Sequence, residues 1–172
     1  MATPQPGPEE IFLPGGQICK ESVTGPALTV LQEALKLARV TRWDSVRSPH
    51  IFMGLLAVPD PGVRLWGDRL GADLGRLLRD FQELFHQEEG ECEALLMLNR
   101  EFLSDNVIRL LREAHARALD HHRAAVTPMD LLITLLTTSN SIVAECFERS
   151  NIATAAKLTE WAVLAEQQSG AK

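Results

Sequence analysis

The chain has no tyrosine, only three cysteines and no block of basic residues among its 172 positions. Each scarcity removes a class of protein. Cys19, Cys92 and Cys146 lie far apart and form no Cys-x-x-Cys pair, so neither a disulfide framework nor a zinc ribbon is expected, and the thiols read as reduced. The formal net charge of -6 offers no positive surface to a phosphate backbone, so nucleic acid is not an expected partner. No apolar run approaches the ~20 residues that span a bilayer, so no membrane is expected either. The stretch from Met1 to Gly16 carries Glu9 and Glu10 and no basic residue, unlike a secretory or transit leader. A cytoplasmic protein is expected. The chain holds no Gly-x-x-x-x-Gly-Lys-[Ser/Thr] phosphate loop, no His-Glu-x-x-His and no Gly-x-Ser-x-Gly. P-loop ATP binding, zinc hydrolysis and serine hydrolysis thus lack their residues, and the sequence predicts no catalytic group, cofactor or metal. β-Branched residues are sparse while Leu and Ala abound, a balance that favours helices.

What is present is a pattern that occurs twice. Residues 1–22 include Pro4, Pro6, Pro8, Pro14, Gly15 and Gly16, which break helices and bury little, so a flexible tail is expected. Ala27, Val30, Leu31, Ala34, Ala38 and Thr41 then fall three or four apart, on one helical face. Thr24 can cap that helix, with Pro26 in its first turn. Ser48-Pro49 reads as a second cap-plus-proline start, leading into Ile51-Phe52-Met53-Gly54-Leu55-Leu56, which leaves no wet face and predicts a helix buried all round. Gly54 within it costs about 1 kcal/mol relative to alanine and so predicts close contact with another helix. Pro59-Asp60-Pro61-Gly62 signals a turn, Val63–Leu70 a short helix capped by Gly71, and Asp73 the start of a fourth helix carrying Leu74, Leu77, Leu78, Phe81 and Leu84. A linker over 87–102, acidic at Glu88, Glu89, Glu91 and Glu93, precedes the second pass.

In that second pass Leu103-Ser104 answers Val23-Thr24, and Val107, Leu110, Leu111, Ala114 and Ala118 answer the first amphipathic face. Leu131-Leu132-Ile133-Thr134-Leu135-Leu136 answers the buried run at an offset of about 80 residues, longer than the period of open solenoids. Thr127-Pro128 sits one place early against Ser48-Pro49, which predicts that the second buried helix starts one residue sooner. Units at 23–86 and 103–166, with a short tail at 167–172, predict an all-α, eight-helix body with pseudo-two-fold symmetry. Four helices barely cover one wholly apolar rod, so the two units should close on each other.

Ser48-Pro49-His50-Ile51-Phe52-Met53-Gly54-Leu55-Leu56, followed by Leu70-Gly71-Ala72-Asp73, resembles the repeat of Hsp100/Clp N-terminal domains, whose pattern is Thr-Glu-His-Leu-Leu-Leu-Gly-Leu-Leu and then Leu-Gly-Val-Asp. Pro128-Met129-Asp130-Leu131 through Leu136, with Ser150-Asn151-Ile152-Ala153, resembles a worn second copy. The resemblance implies two tandem Clp repeats and a domain that receives protein substrates or adaptors for an AAA+ unfoldase. It also offers an alternative, a ClpT-like structural accessory subunit of a Clp protease or unfoldase complex. The Met1 start and the loose finish favour a stand-alone domain over an excised piece. In ClpC-like members the motif glutamates, near the helix-opening threonine, help recognise phosphoarginine. Here the threonine matches at Thr24 and, conservatively, Ser104, but Pro49 and Met129 stand where the glutamates would be. Neither can pair with a guanidinium group, so the resemblance implies that phosphoarginine binding is lost or much weakened. The protein-binding surfaces it implies lie around Thr24, Ser48, Pro49 and His50, and around Ser104, Pro128, Met129 and Asp130. Trp43, just past the first helix, is either a core residue or an interface anchor.

Other constellations fall short of a site. His115, His121 and His122 share one helix without the further ligands that zinc needs. Glu83-Leu-Phe-His86 has di-iron spacing but no second copy one repeat on. Ser48 and Ser104 read as caps, and Cys146 as a packed thiol on an apolar face.

Overall fold

The computed structural model describes residues 11–88, 97–139 and 141–169. Among these residues run eight α-helices: α1 (Gly25–Val40), α2 (Ser48–Ala57), α3 (Pro61–Leu70), α4 (Leu74–Leu84), α5 (Asp105–Asp120), α6 (Pro128–Thr137), α7 (Ile142–Arg149) and α8 (Ala155–Ser169). Short 3-10 turns, Lys20–Ser22 and Arg100–Phe102, precede α1 and α5. The architecture is all-α, as the periodicity predicts.

The duplication is visible in the backbone itself. Thr24 and Ser104 cap α1 and α5 alike, their hydroxyls accepting from the Ala27 and Val107 amides at 3.2 Å in both cases. Arg42 and His122 both take left-handed backbone, with φ of 69° and 61°, where the chain leaves α1 and α5. Gly71 and Asn151 do the same after α3 and α7, at 73° and 57°. The halves also exchange hydrogen bonds reciprocally. The Thr24 amide donates to the Val126 carbonyl and the Val126 amide to the Ser22 carbonyl, while the Ser104 amide donates to Val46 and Val46 to Phe102, all within 2.8–3.0 Å. Each unit thereby lends the other a parallel bridge, Val23 to Val126 and Val46 to Leu103.

Both apolar rods are inside. In α2 every residue from Pro49 to Leu56 is buried, and in α6 every residue from Pro128 to Leu136. α2 packs on α1 and α4 of its own unit and on α5, α6 and α7 of the other. Gly54 makes the close approach that its position predicts, since a Cβ there would sit 2.5 Å from the Val30 carbonyl oxygen and 3.2 Å from the Ala34 nitrogen. Phe52, Trp66, Phe81 and Phe147 meet at centroid distances of 4.8–6.1 Å, mostly edge to face or tilted, and join α2, α3, α4 and α7. The Trp66 indole N–H donates to the Leu158 carbonyl on α8 at 3.1 Å, which seats its polar end within the core.

Three expectations are corrected. The tail expected over 1–22 is overturned from Ile11 onward, and its residues 1–10 lie outside the described residues. From Ile11 onward the chain is packed, with Ile11, Phe12 and Ile18 buried, Phe12 bridged to Ile18, and Gln17 bridged to Asn99. The Pro14-Gly15-Gly16 break makes a turn that returns three apolar side chains to the core, and Arg100 and Arg112 lie over the Phe12 ring at 5.8 and 5.6 Å. Second, α8 extends through Ser169, into the segment expected as a tail, and Arg100–Phe102 within the expected linker form a turn. Cys92, Glu89, Glu91 and Glu93 lie outside the described residues. Third, α2 and α6 start in register, at Ser48 and Pro128, without the shift that the proline spacing predicts. Ser48 is already helical rather than the cap. The third helical residue reaches back in both copies instead: His50 Nδ1 accepts from the Arg47 amide at 2.9 Å, and the Asp130 carboxylate from the Thr127 amide at 2.9 Å.

Candidate functional site

Where α2 and α5 begin and α6 gives way to α7, the two units leave a groove of about 470 Å³. Its apolar floor includes Pro49, Leu110, Leu135 and Val143, and Trp43, Phe85 and Ile142 line it as well. Ile142 is 40% exposed, an apolar side chain held in water at the first turn of α7. Arg47 and Arg109 supply positive charge at the rim, and Glu145 supplies a carboxylate that Arg149 already engages at 2.9 Å. The first turns of α2, α5 and α7 meet at the groove, so their positive dipole ends add to its potential. Apolar floor, aromatic wall and basic rim suit a peptide or helix that presents apolar anchors and a carboxylate.

Trp43 is built into this wall. It is half-buried, and its indole N–H donates to the Phe85 carbonyl at 2.6 Å, while the Arg47 guanidinium lies 4.9 Å over the ring. Behind it sits His50, fully buried, with ring centroids 5.6 Å apart in an edge arrangement. His50 Nδ1 accepts from the Arg47 amide, so Nε2 carries the proton and donates to the Thr41 hydroxyl at 3.0 Å. The Thr41 hydroxyl in turn donates to the Leu37 carbonyl at 2.7 Å. Burial, reinforced by the Arg47 charge, pushes the His50 pKa down to about 4, so the imidazole is neutral at ordinary pH.

One repeat on, the same framework is ionic. Asp130 occupies the His50 position, wholly buried, between Arg117 (2.6 Å) and Arg123, and Glu166 on α8 completes the cluster on Arg117 at 2.9 Å. Burial alone would raise the Asp130 carboxyl, but hydrogen bonds from Arg123, the Thr127 backbone and Arg117 outweigh it and hold the carboxyl below its ordinary value.

The groove gathers Trp43, Ser48, Pro49 and Ser104 of the residues singled out in the sequence. His50 lies behind it as support. Thr24, Pro128, Met129 and Asp130 lie elsewhere, and Pro128, Met129 and Asp130 are buried under neighbouring helices. The motif reading missed Arg47, Phe85, Arg109 and Ile142. Ile142 carried a usable signal, an apolar residue directly after a Ser141 cap where solvent faces a short helix. Of the histidines, His115 is buried on α5 while His121 and His122 are exposed at its end, and among the described residues no group of three or more His, Cys, Asp or Glu is placed to hold a metal. Cys146 is half-buried against the core, where burial raises its thiol pKa.

No family model and no curated protein matches the chain. Solved structures do. The Hsp104 N-terminal domain from Candida albicans aligns with a TM-score of 0.67 at 14% identity, over 83% of this chain and 90% of that one. The N-terminal domain of the caseinolytic protease associated chaperone ClpD from Arabidopsis thaliana aligns at 0.65 and 18%, over 87% and 97%. The fold is that of a Clp N-terminal domain. A third structure agrees: the N-domain of ClpV from Vibrio cholerae aligns at 0.63 and 16%, over 88% and 89%. The Clp N-domain fold thus accounts for nearly all of those solved chains and most of this one.

Proposed function

We propose that this Clp N-domain-type chain is a protein-binding module, without catalysis of its own, that receives a substrate or adaptor segment for an AAA+ Clp machine. The observation that carries the reading is the groove between the units, a slot of about 470 Å³ with a mixed polar and apolar lining, walled by Trp43 and Phe85 and rimmed by Arg47, Arg109 and Glu145. Solvent-facing Ile142 and half-buried Trp43 are the kinds of side chain that anchor an interface, and the arginines favour an acidic segment over a basic one. Pro49 and Met129, buried at the positions of the family's glutamates, give a phosphoarginine guanidinium nothing to pair with.

Native purification of tagged protein followed by mass spectrometry tests the reading, run beside Ile142→Glu. The substitution adds charge at an exposed position and should leave the fold intact. The expected result is a set of co-purifying proteins, varied in identity and lost with Ile142→Glu. Stoichiometric Clp ring subunits that remain bound to the variant would instead favour an accessory assembly role, and the groove reading would fail.

A further inference from the structure

The groove has a symmetry counterpart, and the chain itself covers it. Trp43, Pro49 and Phe85 correspond one repeat on to Arg123, Met129 and Ala165, and Ile142 corresponds one repeat back to Gly62. At these positions the surface is closed. A Cβ on Gly62 would lie 2.6 Å from Met129 Cγ and 3.0 Å from Ser169 Oγ, so α3, the start of α6 and the last turn of α8 touch directly. Met129 is only 2% exposed as a result.

The difference between the halves is the length of the fourth helix. α4 stops at Leu84, and the chain turns so that the Gln87 amide donates to the Thr41 carbonyl at 2.9 Å, which leaves the first groove open among the described residues. α8 continues to Ser169 and packs extensively along α3, whereas α4 and α7 meet chiefly through Phe81 and Phe147. Glu166 marks the added length. Its two oxygens accept from Arg117 at 2.9 Å each, and one lies 3.6 Å from Arg123. The corresponding residues of the first unit are Leu37, Trp43, His50 and His86, which form no such cluster.

We propose that the last turn of α8 is a built-in occupant of a second docking groove, an autoinhibitory cover fastened by Glu166 to Arg117 and Arg123. The module then presents one open groove and holds its twin shut. The proposal rests on the reading of the open groove as a docking surface. Its geometry suggests how the cover is released. Arg117, Arg123 and Glu166 keep 16%, 31% and 21% of their side-chain surface in water, so salt or a competing carboxylate reaches them, whereas Asp130 is sealed.

Hydrogen exchange on the whole chain, with no partner present, tests the cover. Glu166→Gln, or wild type in about 1 M sodium chloride where the screening length falls to ~3 Å, should speed exchange over 61–67, 127–131 and 163–169. The expected gain is about ten-fold, with 48–56 and 107–118 unchanged. The salt arm needs no substitution, so it reads out even where the variant folds poorly. Unchanged exchange, or equal acceleration everywhere, would mean that the cluster is a staple of the fold and would overturn the cover. The second measurement is stoichiometry. Glu166→Gln should raise the partner bound per domain from one toward two, with the added share insensitive to Ile142→Glu. Local opening without added binding would overturn the inhibitory role. Failure of the docking reading appears differently, as no Ile142-dependent partner in the wild type.

Discussion

His50 and Asp130 occupy one position of the repeat and solve the same capping problem with opposite electrostatics. The imidazole is neutral, fully buried and satisfied at both nitrogens, and its pKa is depressed to about 4. Between pH 4 and the ordinary histidine value the unfolded chain therefore binds a proton that the folded chain refuses. Stability rises with pH across that window and is lost as pH falls through it, by on the order of 3 kcal/mol for a shift of this size. Asp130 has the same sign in a lower pH window. Its folded carboxyl is held below the ordinary value, so its contribution is present above that value and is lost only under stronger acid. Urea midpoints at pH 7.5 and pH 4.5 separate the two. Wild type should lose stability over this interval, and His50→Gln, although weaker at pH 7.5, should lose much less. Equal pH dependence in both proteins would show that His50 is not the group that titrates. The sequence displayed both residues but not this role. A histidine beside a proline reads as surface until its one donor, the Arg47 amide, and its one acceptor, the Thr41 hydroxyl, are known.

Helix identity was legible because α1 and α5 carry a strong apolar periodicity and α2 and α6 are apolar all round, so that pattern alone places them inside. The strap over 11–22 was not legible, because Ile11, Phe12 and Ile18 carry too few apolar residues to show a period among prolines and glycines. The groove was only half legible. Pro49 and Ser104 belong to a recognisable motif, but Phe85 just past α4, Arg109 within α5 and Ile142 on α7 are not among the residues it names. At the same scale, Gly54 makes a sharp prediction. In an exposed helix alanine gains about 0.5–1 kcal/mol over glycine, and Gly75, whose Cβ would meet nothing closer than Asp73 Oδ1 at 3.4 Å, should show that gain. At Gly54 the new methyl would press on the Val30 carbonyl of α1, a backbone atom that cannot swing aside, so overpacking should cost about 1–3 kcal/mol net. Denaturant unfolding of Gly54→Ala and Gly75→Ala should therefore give opposite signs. Two stabilised variants would mean that α1 and α2 sit farther apart than described.

At the scale of the whole molecule the two units are one folding body, because neither completes its own core. α2 rests on three helices of the other unit, α3 packs along α8, and the isolated bridges Val23–Val126 and Val46–Leu103 each take one residue from either half. Separation would leave the Phe52 and Trp66 cluster without Phe147 and would free the Trp66 indole from the Leu158 carbonyl. A unit of this size also buries too small a share of its surface to tolerate that loss. The full chain should unfold in one transition, with far-UV circular dichroism and tryptophan fluorescence coincident, as two-state behaviour requires. A fragment of residues 11–88 should keep helical signal yet melt without a cooperative step and bind a hydrophobic dye, because α2 would expose the face that α6 and α7 now cover. A sharp, native-like melt of that fragment would mean that the units merely adjoin, and the reciprocal bridges would then be a consequence of contact rather than part of what holds the groove's two walls in register.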